Sequence, residues 1–408
     1  MHRKIPGGEP GIKKGSVMKK TIHFLAIAAV LAVLGCKPSD GKSAAAGQQE
    51  PIRIGHSVAL TGPSATWGQA EANALKMIVD KINGEGGVLG RKIEVIAHDN
   101  RADRLEAVNV AKRLVEQDKV VAIIGPAQSG VANAIREVNN AAKIPVVATT
   151  ATNPKVTVAE DGKVVPYTFR ACFIDPFQGT VAGQFALKDL KAKTAAVLYD
   201  VGDDYSQFLG KYFVEAFTKG GGRITANEAF RSGELDFRAQ LGKIKTGKPD
   251  ILFIPTMQKE AALAAKQARD LKIDVPLIGG DGWASPDLID LAGPAIEGAY
   301  FVNIAALEDP AIQDFIKDYR ARFNMDPVLP NPLMAYDAMI LIVDAIRRAG
   351  TTDGEKLKDA IEATRDLQVL TGKLTIDPAT HNPLNKPATI QQVKGKDFVY
   401  VKTFVTTD

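Results

Sequence analysis

Ser129 stands in 123-IIGPAQSGVANAI-135, where an apolar strand-like run breaks into a glycine-framed loop and then takes up helical spacing. A junction of that kind gathers free backbone N–H groups around the serine hydroxyl, a donor set that holds an anion. Phosphate, the oxyanion of an acyl transfer and a carboxylate all fit the description. A P-loop needs Lys and Ser/Thr where this chain has Val131 and Ala132, so no side-chain charge meets a terminal phosphate. A nucleophile elbow needs glycines where Ala127 and Val131 stand, and no recognisable motif places a His as base. The run 84-GEGGVLG-90 ends a helix and enters a strand, the reverse of a dinucleotide loop. A carboxylate seat is the remaining chemistry.

Further donors follow in 149-TTATNP-154, where Thr150 and Thr152 close the next strand. The same threonines also suit local capping and turn formation. In 278-IGGDGW-283, Asp281 sits among glycines after a strand, as a turn aspartate or as an acid on a cleft. An acid opposite a carboxylate seat suits a zwitterion, with its ammonium at Asp281 and its carboxylate at Ser129 and Thr152. Trp67, Tyr205 and Tyr336 occupy loop positions from which they would either wall such a cleft or pack half-buried.

The elements that must position these residues alternate. Strand patterns at 52–60, 92–99, 120–125 and 144–149 are separated by helical patterns at 69–83, 104–117 and 130–142. A second series has strands at 194–200, 223–230, 250–255 and 276–280, with helices at 204–220, 235–245 and 259–272. Helical patterns return at 309–323 and 333–349 before a β-rich tail at 397–405. Short apolar strands alternating with helices predict α/β architecture, here two doubly wound lobes with a ligand cleft between them.

Composition agrees with this reading. The chain has 408 residues, 45% of them hydrophobic and 24% charged, enough for two packed domains. Residues 1–35 hold six of its 51 Lys/Arg and one of its 47 acids, which leaves 45 basic and 46 acidic residues. No basic field remains for nucleic acid. Five scattered His and two distant Cys give neither metal-ligand spacing nor a disulfide framework.

The amino terminus carries an export pattern. In 18-MKKTIHFLAIAAVLAVLGCKPSD-40 a charged start precedes an apolar run, Ile22–Leu34, that reaches only about 20 Å as a helix. That is short of a hydrocarbon core of roughly 30 Å, so 18–35 reads as a signal peptide. Its V-L-G-C end resembles the lipobox of bacterial lipoproteins, with Cys36 as the acylated residue; Val33 and Leu34 depart from the commonest pattern. An ordinary secretory peptide followed by a chance cysteine is the other reading. Residues 1–17 read as an upstream non-native start, and 36–50 as a flexible tether.

From about Pro51 onward the chain resembles the periplasmic branched-chain amino-acid-binding proteins, type 1 solute-binding proteins of ABC importers. The resemblance rests on 55-GHSVALTGPSATWGQ-69, 79-VDKINGEGGVLGRKIEV-95, 123-IIGPAQSG-130, 145-PVVATTATNP-154 and 276-PLIGGDGW-283. It implies that Ser129 and Thr152 donate hydroxyls to an α-carboxylate, and that the Thr150 carbonyl and Asp281 take the α-ammonium. It also implies aromatic ligand contacts from Trp67, Tyr205 and Tyr336, joined by Met257. Asp281 replaces the glutamate of leucine-type binders, and Ala102 and Gln128 fall about where the family's first-lobe disulfide would be.

The implied topology crosses the hinge three times, with lobe 1 at 51–172 and 304–386 and lobe 2 at 173–303 and 387–408. The implied function is non-enzymatic capture of a small branched-chain or aliphatic amino acid by a monomer without cofactor or metal. A lipid anchor would hold it at a membrane outside the cytoplasm, and its partner would be an inner-membrane ABC permease. Two alternatives keep the fold: another small ligand (an amide, urea or an aromatic acid), or a ligand-sensing receptor module.

Overall fold

The computed structural model describes residues 49–405. The signal peptide, Cys36 and nearly all of the tether lie outside the described residues. Among the described residues no helix is long and apolar enough to cross a membrane.

The chain begins with β1 (Ile52–Val58), α1 (Ala65–Gly84), β2 (Ile93–Asp99), α2 (Arg104–Glu116), β3 (Ala122–Ile124), α3 (Ser129–Ala142), β4 (Val146–Ala148) and β5 (Thr168–Arg170). These strands form one parallel sheet in the order β2-β1-β3-β4-β5. The fully buried β3 and β4 read as unbroken apolar runs because helices cover both faces of the sheet.

Next come α4 (Asp175–Lys188), β6 (Thr194–Asp200), α5 (Asp204–Lys219), β7 (Arg223–Phe230), α6 (Arg238–Gly247), β8 (Ile251–Phe253), α7 (Gln258–Asp270), β9 (Leu277–Gly279), α8 (Pro286–Ala292) and β10 (Tyr300–Asn303). Three helices follow, α9 (Gln313–Phe323), α10 (Asn331–Ala349) and α11 (Gly354–Glu362). A small hairpin, β11 (Leu367–Val369) and β12 (Gly372–Leu374), and the strands β13 (Ala388–Lys394) and β14 (Asp397–Phe404) complete the chain. The second sheet runs β14-β13-β10-β9-β8-β6-β7; β6 to β10 pair in parallel and the last two strands antiparallel. Helix α10 packs against α1, so chain that follows the second series returns to the first lobe.

The alternating strands and helices expected from sequence all form, with ends moved by a few residues. Helix α4 has no counterpart in that reading. It buries Gln178, Gly179, Val181, Ala182, Gly183, Phe185 and Ala186, and so lacks the one-sided apolar stripe of a surface helix. Gly179 sets how close α5 can lie, since a Cβ there would meet Phe213 N and Tyr212 Cβ, both at 2.7 Å. The described strands place the expected site residues beyond their carboxyl ends: Ser129 after β3, Thr150 after β4, Met257 after β8 and Asp281 after β9.

Candidate functional site

Trp67, Ala127, Gln128, Ser129, Thr150, Tyr205, Met257, Asp281, Gly282, Pro330 and Asn331 line one cavity between the lobes. Six of the eight expected contact residues meet there: Trp67, Ser129, Thr150, Tyr205, Met257 and Asp281.

Two expected residues do not line it. Tyr336 lies on α10 and packs edge-on against Phe315, with ring centroids 5.6 Å apart; helical phase turns it into the first-lobe core. Thr152 is fully buried, and its hydroxyl has no hydrogen-bond partner among the described residues. It lies beside Asp175, whose carboxyl it biases without the alignment of a hydrogen bond.

On the first lobe, Ser129 begins α3 and is 2% exposed. Its Oγ accepts from the Asn153 backbone N–H at 3.1 Å, which leaves the hydroxyl proton free to donate elsewhere. The Thr150 hydroxyl donates to the Ala127 carbonyl at 3.3 Å and accepts from Asn331 Nδ2 at 3.2 Å. Asn331 Nδ2 also donates to Glu71 Oε1 at 2.9 Å, and Thr149 donates to the same oxygen at 2.8 Å. His56 Nε2 lies 3.1 Å from Glu71 Oε2. Glu71, 1% exposed on α1, therefore sits in a closed set of partners beneath the cavity.

On the second lobe, Asp281 follows β9 in a single 3-10 turn, Asp281–Trp283. The neighbouring glycines serve close approach rather than turn formation. A Cβ at Gly279 would lie 2.1 Å from the Trp283 indole, and one at Gly280 would lie 2.4 Å from the Tyr205 hydroxyl. Trp283 itself is fully buried, with its indole N–H on the Ile254 carbonyl at 3.1 Å. The Tyr205 hydroxyl accepts from the Gly282 N–H at 3.1 Å, so this ring fixes the Asp281 turn besides walling the cavity.

Gln178 Nε2 donates to Asp281 Oδ1 at 2.7 Å. Burial nevertheless pushes the Asp281 carboxyl up to about 6, against smaller opposing pulls from Gln178 and Tyr205. Asp175, fully buried at the start of α4, is pushed well above the carboxylate range by burial, and both its oxygens and Gln178 Oε1 lack partners among the described residues. Nearby Cys172 is fully buried, its thiol pushed up to about 12 by burial, which makes it inert packing. This side of the cavity carries more acceptors than donors.

The lobes also touch around the cavity. Trp67 Nε1 donates to the Ala284 carbonyl at 2.8 Å, Thr66 to Asp287 at 2.9 Å and Gln258 to the Pro63 carbonyl at 2.8 Å. Across the mouth, Asn133 and Asn153 donate to Asp204 at 3.0 and 2.8 Å. Ala102 and Gln128 both line a second pocket between the lobes, which shares Gln128 and Met257 with the first. Among the described residues no cluster of His, Cys, Asp and Glu could hold a metal ion.

Sequence reasoning missed Glu71, Gln178 and Asn331. An acid in an amphipathic helix reads as solvent-facing, Gln178 lies on the unrecognised α4, and Asn331 sits in 329-LPNP-332, which reads as a loop. The signal available for Asn331 was the Pro-Asn-Pro run that opens the apolar helix α10, since proline is favoured in a helix's first turn.

Known proteins share this fold. The family model described as "Periplasmic binding protein" matches residues 51–397. The Leu/Ile/Val-binding protein BraC3 of Rhizobium johnstonii is 30% identical over 325 residues, 79% of this chain and 87% of that one. The crystal structure of leucine-binding protein LivK from Thermotoga maritima has a TM-score of 0.79 at 32% identity, covering 86% of this chain and 98% of that one. The substrate-binding protein LivJ of a Streptococcus pneumoniae branched-chain amino-acid transporter, solved with isoleucine, has a TM-score of 0.78 at 31% identity, covering 87% and 99%. With two α/β lobes closing on one cavity at their strand ends, this chain belongs to the periplasmic binding protein family.

Proposed function

We propose that this protein captures a small aliphatic amino acid, of the branched-chain type, outside the cytoplasm and delivers it to an ABC permease by lobe closure. The observation that carries the reading is the polarity of the cavity. A hydroxyl with a free proton, Ser129, and a buried acid from the other lobe, Asp281, line the same cavity. A zwitterion satisfies both: its carboxylate accepts from Ser129, and its ammonium restores the charge that burial withholds from Asp281. Among the described residues no donor reaches the Thr150 carbonyl, which leaves it for the ammonium. Thr152 adds its unpartnered hydroxyl behind the seat. Trp67, Tyr205 and Met257 enclose the side chain. A plain carboxylate ligand, such as an aromatic acid, would meet repulsion at Asp281.

In this reading Cys36 carries the lipid, the mature protein is a tethered monomer without enzymatic activity, and the hinges fall near residues 172, 303 and 386. Calorimetry on protein that has been unfolded, stripped and refolded, titrated with each of the twenty amino acids, tests the function. Saturable heat with branched-chain amino acids is expected; silence from all twenty sinks the reading.

A further inference from the structure

We infer that Asn331 selects the ligand's side chain, favouring one that carries a hydrogen-bond donor over its purely apolar isostere. The inference rests on the amino-acid reading of the cavity and goes further, to the chemistry beyond the α-carbon. Asn331 lines the cavity and is 4% exposed, so the little surface it keeps is offered to whatever fills that space. Its orientation is fixed by what lies behind it. Nδ2 faces Glu71 Oε1, which also takes the Thr149 hydroxyl, and Thr150 Oγ1, whose own proton is directed at the Ala127 carbonyl. Both amide protons are thereby committed.

Turning the amide over would set its oxygen against Glu71 Oε1, which already takes the Thr149 proton, so the observed orientation is the favoured one. What remains is Oδ1, a pure acceptor with no donor on it among the described residues. Trp67, Pro330 and Met257 are apolar members of the same lining, whereas Ser129, Thr150 and Asp281 are the groups read as holding the ligand's carboxylate and ammonium. An acceptor held rigidly where the side chain lies discriminates, because an apolar side chain laid against it leaves it desolvated and unpaired. The ligand class is a compact amino acid with a hydroxyl or amide N–H on its side chain, and the sharpest probe is an isosteric pair: threonine and valine.

The experiment is competition calorimetry of L-threonine and L-valine on stripped, refolded protein, repeated on Asn331→Leu. The wild type should bind threonine about tenfold tighter than valine, as one added hydrogen bond to a buried acceptor provides. In Asn331→Leu the ratio should fall to unity or invert. Valine equal to or tighter than threonine in the wild type overturns the inference, and that comparison decides even where Asn331→Leu does not fold. A threonine preference that survives in a folded Asn331→Leu overturns it as well. Binding of leucine or valine without a threonine preference removes this inference alone, whereas no binding by any amino acid removes the proposed function and this inference with it.

Discussion

Two buried acids flank the cavity, and the two lobes treat them in opposite ways. Glu71 on the first lobe is surrounded by Thr149, Asn331 and His56, which direct hydrogen bonds at both its oxygens. Asp281 on the second lobe has Gln178 and the Tyr205 hydroxyl beside it, and burial still lifts its carboxyl to about 6. A satisfied acid builds a rigid wall. An under-satisfied acid is a site awaiting a cation, held at a cost to the empty protein. Stability should therefore reside in the first and affinity in the second.

Paired substitutions break that comparison most sharply. Glu71→Ala leaves Thr149, His56 and one amide proton of Asn331 buried without a partner and should lower unfolding free energy by about 3–5 kcal/mol, measured by denaturant melts. Asp281→Asn should weaken amino-acid binding by about 2–5 kcal/mol in calorimetry, since it removes a desolvated charge partner. It should also stabilise the ligand-free protein above pH 6. A carboxyl whose folded pKa is raised contributes stability below its unfolded pKa, near 3.8, and loses it as pH climbs through about 6. Unchanged affinity in Asp281→Asn refutes the ammonium role, and a folding loss equal to that of Glu71→Ala erases the contrast.

A pH series sharpens it. The ammonium needs Asp281 ionised, so affinity should hold from pH 8 to 7 and fall about tenfold between pH 7 and 5, as the acid takes up a proton near 6. The ligand stays zwitterionic across that window, because the α-carboxyl of a free amino acid, acidified by its own ammonium, titrates well below pH 5. Asp203, in the adjoining pocket, is likewise raised to about 6 by burial, so Asp281→Asn is the control; its profile should be flat, and a slope retained there would move the effect to Asp203. The smallest expected change belongs to Tyr205→Phe. Losing the acceptor for the Gly282 N–H should cost about 1 kcal/mol in affinity while the ring still walls the cavity. A loss as large as that of Asp281→Asn would mean that the hydroxyl itself touches ligand.

How much of this was legible in the chain follows from where each signal lies. Strand ends carry their chemistry in contiguous letters, so 123-IIGPAQSG-130 and 278-IGGDGW-283 point to Ser129 and Asp281, both of which line the cavity. The partners that tune them do not. Gln178 acts from a helix with no polar face, and Glu71 and Asn331 meet across 260 residues of chain. Tyr336 shows the converse failure: an aromatic near a loop, which the phase of α10 turns onto Phe315. Spacing reveals which loop a residue sits on; the rotation of a helix about its axis decides which residue looks into the cavity.

The hydrogen bonds from Trp67 to Ala284, Thr66 to Asp287 and Gln258 to Pro63 join protein to protein without involving ligand. Release must part them whatever occupies the cavity. The residence time of every ligand therefore shares one component, set by the rim, and ligands of differing side chain separate through the remainder. A permease that prises the lobes apart would supply that shared part itself and so unload strong and weak ligands at nearly one rate.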